Sequence, residues 1–159
     1  MFSTAFKTGL GWMGASSDGE SVCAIILPQR SKVQVTELIT GRGSCDILAE
    51  LESDIATYLS GERTDFRRYR TNPENTTPFR GRVWAAAREI PYGRTMTYGR
   101  LAWLIGSPGA ARAVGGALNA NPTPLIVPCH RVVSSSGVGG FSAGADLKEK
   151  LLQLEGVMR

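Results

Sequence analysis

Cys129 lies between Pro128 and His130, and His130 is the only histidine in a chain of 159 residues that holds three cysteines. The thiolate is the nucleophile of sulfur chemistry. A free cysteine titrates near ~8.5, so reaction at neutral pH calls for a base, a cation or a helix N-terminus beside it. His130 and Arg131 offer the first two kinds of group immediately after the sulfur. Neighbours in an extended segment point to opposite faces, so adjacency is not contact, and a water would have to bridge His130 to the sulfur. Taken alone, Cys129 reads equally well as a small buried hydrophobe, the reading that suits Cys23 in its apolar tract VCAIIL.

The flanking residues favour chemistry. Pro122, Pro124 and Pro128 stiffen the approach to the cysteine, and Asn121 stands where an amide can tie loop backbone groups together. Downstream, Gly137, Gly139, Gly140 and Gly144 make a permissive loop that could let a flat ligand approach the backbone. Neither GxxxxGK[ST] nor a GxGxxG after a strand occurs, so no nucleotide-cofactor motif is present. An odd number of widely spaced cysteines argues for free thiols, and one histidine with scattered cysteines makes a poor zinc site. The expectation is a protein with no cofactor and no metal.

The elements that must carry these groups form an α+β chain in two parts. Residues 8–14 (TGLGWMG) and 21–27 (SVCAIIL) read as a β-hairpin around Asp18-Gly19. Ser44 is placed to cap a helix with Ile47, Leu48, Leu51, Ile55 and Leu59 at helical spacing, ended by Gly61. This small α/β module, 1–76, closes in a polar linker, 71–77 (TNPENTT). Residues 77–159 are mainly helical. Thr77 as cap and Pro78 at the first position open a helix with Phe79, Val83, Trp84, Ala87 and Ile90 on its apolar side. A short helix over 97–105 and another from Ser107-Pro108 to about Ala120 are joined at Gly106 in the manner of a helix-turn-helix. A last helix runs from Ala145 to Glu155 on Leu147, Leu151, Leu152 and Leu154.

Charge adds a hint of the partner. The net charge is +4, yet between Ile90 and Ala145 there is no acidic residue, only Arg94, Arg100, Arg112 and Arg131. A tract of one sign can hold a polyanion, although ordinary solvation would also account for it. The longest apolar runs fall far short of the roughly 20 residues of a membrane helix, and 1–10 lacks the pattern of a secretory signal. The expected compartment is the cytoplasm, or the nucleus in a eukaryote.

Three stretches in order, IPYGRTMTYGRLA (90–102), AARAVGGAL (110–118) and NPTPLIVPCHRVV (121–133), resemble the O6-alkylguanine-DNA alkyltransferases, and TGLGWMG is similar to their variable first domain. The resemblance implies a repair protein that flips O6-alkylguanine out of double-stranded DNA and moves the alkyl group irreversibly to Cys129. It implies that His130 takes the thiol proton through water, that Glu155 orients His130, that Asn121 is the hinge behind the helix-turn-helix, and that Tyr98 assists guanine N3. Arg112 would enter the base stack. Ala110, Ala111, Ala113, Gly115 and Gly116 would present a thin surface to the minor groove, with Arg131 in the same DNA-binding set. Phe141, where many relatives have tyrosine, would line the alkylguanine pocket with Ser142, Val132 and Pro124. No membrane partner is implied, and a monomer is expected. The competing readings are an alkyltransferase-like lesion sensor, whose members lack the acceptor cysteine, and a cysteine hydrolase, which would leave AARAVGGAL unexplained.

Overall fold

The computed structural model describes residues 1–158. Its chain divides into one unit of residues 1–74 with 122–126 and a second of residues 75–121 with the remainder from 127. The second boundary differs from the sequence expectation, because 122–126 leaves the acceptor region and packs in the first unit. There Ile25 N–H donates to the Pro122 carbonyl (2.8 Å), and Thr123, Leu125 and Ile126 are buried. Leu125 does so at φ +74°, a left-handed conformation uncommon for a branched side chain.

In the first unit, β1 (Phe2–Thr8), β2 (Gly11–Ser17) and β3 (Val22–Gln29) form an antiparallel sheet in sequence order. The expected hairpin is β2–β3. Asp18 Oδ1 accepts from the backbone of Glu20 and Ser21, and Gly19 takes φ +107°, so local turn chemistry sets it. TGLGWMG is not one strand, however. Thr8 pairs with Gly11 across a tight turn at the φ +132° of Gly11, and the residues before it form β1. A helix the sequence reading missed, α1 (Lys32–Leu38), starts from a Ser31–Gln34 capping box and buries only Val35, too little to show periodicity. α2 (Asp46–Leu59) buries Leu48, Leu51, Ile55 and Tyr58; its N-cap position is Cys45, one residue after the expected Ser44. The start of the supposed linker is tied down. Asn72 N–H donates to Val22 O (3.0 Å), and the Asn72 amide donates to Asp18 (2.9 Å).

The second unit holds α3 (Pro78–Arg88), β4 (Met96–Thr97), α4 (Tyr98–Leu104), α5 (Ala111–Asn119), β5 (Val132–Val133) and α6 (Ala145–Leu154). α3 begins where expected, with the Thr77 hydroxyl accepting from Arg80 N–H (3.2 Å) and Pro78 inside the first turn. α4 and α5 make the helix pair. α5 starts later than expected because Ser107–Ala110 closes as a turn, with Gly106 and Gly109 at positive φ. Val83, Trp84, Ala87, Leu101, Val114, Ala117 and Val132 form the core among these helices, and Cys129 belongs to the same cluster. Each fully buried aliphatic side chain contributes about 1.5–3 kcal/mol. The Trp84 indole N–H takes up the Ala117 carbonyl (2.8 Å), fixing α3 against the end of α5.

Candidate active site

Cys129 opens one turn of 3-10 helix, Cys129–Arg131, that leads straight into β5. β5 pairs in parallel with β4, Met96 opposite Val132 and Thr97 opposite Val133, so the residues after the cysteine are locked beside the start of α4. Asn121 follows the end of α5. Its amide donates to the Val127 carbonyl (2.9 Å) and hydrogen-bonds the Cys129 side chain. Burial pushes the Cys129 thiol up, while the bond from Asn121 and the positive charge of Lys148 pull the other way.

Behind the cysteine lies a buried ionic group. His130 Nε2 is 2.8 Å from Glu155 Oε1, with the two side chains 1% and 0% exposed. Arg131 Nε donates to both carboxylate oxygens (3.2 and 3.0 Å) and its Nη2 to Oε1 (2.9 Å). Gly93 N–H donates to Oε2 (3.1 Å). Burial alone would raise the Glu155 carboxyl, but the bonds from His130 and Arg131 outweigh it and hold the group well below the usual carboxylate range. Burial lowers the proton affinity of His130. A neutral imidazole beside a permanent carboxylate carries its proton on Nε2, and Nδ1 is then the accepting nitrogen. The same geometry corrects one expectation. Arg131 is an internal residue, held by Glu155 and by a bond from Nη1 to the Ile90 carbonyl (2.8 Å), and does not belong to a DNA-facing set.

Cys129 lines a cleft of about 480 Å³ together with Tyr98, Ala111, Arg112, Gly115, Gly116, Phe141 and Ser142, all expected from the sequence. Ala110 and Ala113 lie outside its lining, Ala113 exposed on α5 beside Arg112 and Gly116. Two expected pocket residues are elsewhere: Val132 is a fully buried core residue, and Pro124 is buried in the first unit. Leu118 and Asn119 line the cleft unforeseen, and Gly140 of the expected glycine loop lines it too.

The more consequential omission is Lys148. Fully buried, its ammonium donates to the carbonyls of Val132 (2.6 Å) and Gly140 (3.0 Å) and to the Tyr98 hydroxyl (3.2 Å). Burial lowers it to about 8. The signal was present: Lys148 sits in the apolar stripe of α6 with Leu151 and Leu152, and Glu155, seven residues on, continues that face at the C-cap. Tyr98, at the first position of α4, donates to Gly140 O (3.2 Å). Gly139 backs that tyrosine so closely, at φ +78°, that a Cβ there would come within 2.8 Å of its ring and hydroxyl.

The charge excess follows this unit. The stretches 75–121 and 127–159 carry ten Lys and Arg against four acids, while the first unit has eight against ten. Among the described residues no three His, Cys, Asp or Glu side chains gather as a metal ion requires, and no helix is long and apolar enough to cross a membrane.

The family described as 6-O-methylguanine DNA methyltransferase, DNA binding domain, matches residues 78–157. The chain is 37% identical over 158 residues to a methylated-DNA–protein-cysteine methyltransferase of Methanosarcina acetivorans, covering 98% of this chain and 99% of that relative. A Haemophilus influenzae protein of the same name is 34% identical over 156 residues, 98% of this chain and 86% of its own. Among solved structures, Mycobacterium tuberculosis OGT in complex with DNA superposes with a TM-score of 0.83 at 34% identity, covering 98% of this chain and 92% of that one. The O6-methylguanine-DNA methyltransferase of Pyrococcus kodakaraensis gives 0.76 at 27% identity, with 98% of each chain covered. With a buried cysteine at a helix-turn-helix cleft and relatives matched over nearly their whole length, the chain belongs to the methylated-DNA–protein-cysteine methyltransferase family.

Proposed function

We propose that this protein repairs O6-alkylguanine in double-stranded DNA by a single transfer of the alkyl group to Cys129. The observation that carries the reading is the cleft itself: one wall is the thin, arginine-bearing face of α5, and the sulfur lies among its lining residues with a histidine–carboxylate pair behind it. The target carbon is inside a duplex, so the nucleotide must rotate out at a cost of a few kcal/mol, and Arg112, exposed on α5, is the side chain to fill the gap. Small residues on that face suit the minor groove.

In the transfer the Cys129 proton passes through water to His130, whose imidazolium is stabilised by Glu155. The thiolate attacks the alkyl carbon as the carbon–O6 bond breaks, a carbon–sulfur bond forms, and the electron pair leaves with guanine. Tyr98 supplies a hydrogen bond or proton to guanine N3, which makes the base a better leaving group. Lys148 bonds the Tyr98 hydroxyl and lends positive charge to the thiolate. The resulting thioether is not undone by thiol exchange, so each molecule acts once. The reading requires no cofactor and no metal, a protein acting as a monomer, and action in the cytoplasm, or in the nucleus of a eukaryote.

The test incubates the protein with duplex DNA carrying O6-methylguanine and seeks one added methyl group on the Cys129 peptide by mass spectrometry. The expected result is a stoichiometric adduct that Cys129→Ala lacks. An absent adduct, or an equal one in the variant, refutes the proposal.

A further inference from the structure

We propose that Arg131 is a positioning residue for the alkyl transfer: by gripping both oxygens of Glu155 it lets that carboxylate orient His130 without turning His130 into a permanent imidazolium. The inference rests on the reading of Cys129 and His130 given above. A buried carboxylate with histidine as its only partner favours a charged pair and holds the proton on the imidazole. A histidine already protonated cannot take the thiol proton. A guanidinium, which stays charged at any working pH, neutralises the carboxylate in advance and leaves the imidazole neutral.

The geometry is built for that sharing. Arg131 is 8% exposed and its fork spans Oε1 and Oε2. Its Nη1 is anchored to Ile90 O just beyond α3, and its Cζ lies 5.8 Å from the Tyr92 ring, whose hydroxyl donates to Leu154 O (3.3 Å). With Gly93 N–H also on Oε2, donors from two chain segments saturate the carboxylate. The guanidinium therefore cannot swing to solvent without giving up three bonds to Glu155 and one to the Ile90 carbonyl. The charged groups that act on His130 are Glu155, Arg131 and Lys148, with Tyr92 on the guanidinium and Tyr98 on the ammonium. Of these, Glu155 favours the imidazolium, while burial, Arg131 and Lys148 oppose it.

Because the chain has one histidine, His130 gives a single set of imidazole resonances in the tag-free protein. The experiment follows its titration by NMR, together with the pH profile of transfer from free O6-benzylguanine, in native protein, Arg131→Gln and Arg131→Lys. Removing the charge in Arg131→Gln is expected to raise the His130 midpoint by about one unit or more and to move the acid limb of the rate profile upward with it. Arg131→Lys, which keeps the charge and loses the fork, should shift both by less. An unmoved midpoint in folded Arg131→Gln, with a rate lowered equally at every pH, would overturn the proposal in favour of a purely structural arginine. If Arg131→Gln does not fold, the native protein still decides: a neutral, Nε2-protonated ring at pH 7 supports the proposal, and an imidazolium there refutes it. Native protein with the expected titration but no transfer would sink the functional reading, and with it the role in transfer, leaving only the control of His130 protonation by Arg131.

Discussion

Asn121→Ala separates two roles of one side chain. The amide donates to the Val127 carbonyl at 2.9 Å and bonds the Cys129 side chain, so alanine removes both ties between the end of α5 and the acceptor turn. A neutral hydrogen bond contributes about 0.5–1.5 kcal/mol net and one to a charged group about 1.5–3 kcal/mol. The native protein, with a neutral thiol, should therefore lose about 1–2 kcal/mol, or about 2–8 °C in Tm for a domain of this size. The thiolate loses more than the thiol does, by about 1–1.5 kcal/mol, which raises the thiol pKa by about one unit. Burial already lifts that pKa, so the thiolate is a minority at neutral pH and its fraction should fall about tenfold. Iodoacetamide labelling across pH measures the midpoint, quantified on the Cys129 peptide because Cys23 and Cys45 are also free and partly exposed. Transfer at pH 7.5 should fall by the same factor. An unmoved midpoint with an unchanged transfer rate would refute the assignment of Asn121 as a thiolate donor.

Arg112→Ala should weaken transfer from duplex DNA far more than transfer from free O6-benzylguanine; equal losses would contradict a role in filling the base stack. Stability should fall with acid for two reasons of the same sign. The depressed Glu155 carboxyl contributes stability that is complete above about pH 4.3 and is lost as pH falls through its lower folded value. His130, lowered by burial, leaves the unfolded chain binding an extra proton below about pH 6.5. Urea unfolding at pH 7.5, 5.5 and 4 should show a steady decline, and stability that rises toward pH 4 would refute both assignments. Gly139→Ala must displace the Tyr98 ring from a 2.8 Å approach and adds about 1–2 kcal/mol of left-handed strain, so methyl transfer should drop while Cys129 remains reactive to iodoacetamide. An unaffected transfer rate would show that Tyr98 does not need its present position.

The legible parts of the fold were those set by short-range chemistry. Thr77-Pro78 started α3 on the expected residue, Asp18-Gly19 turned the expected hairpin, and the leucines of α6 marked its buried face. β1 and α1 were not legible. β1 takes its place from pairing with β2, and α1 buries a single valine. The site divides the same way. Cys129, Tyr98, Arg112, Phe141 and Ser142 were marked by motif and lie around one cleft, whereas Arg131, Val132 and Pro124 carry motif positions whose side chains go to other surroundings.

The sequence by itself determined the cysteine and the single histidine beside it, the helix pair and the acid-free basic tract, because these depend on residue type and near spacing, and three motifs in order marked the cysteine as the acceptor by resemblance. Only the tertiary structure decided what surrounds the sulfur. Glu155 reaches His130 across 25 residues of chain, Arg131 turns inward to bond Ile90 from 41 residues away, and Lys148 is buried against Tyr98. Whether an arginine faces a phosphate or a buried carboxylate depends on which groups packing has left without partners, since an unpaired buried charge costs several kcal/mol. In this protein the Glu155 carboxylate is buried, and Arg131 meets it in the interior beside His130 and the Gly93 N–H.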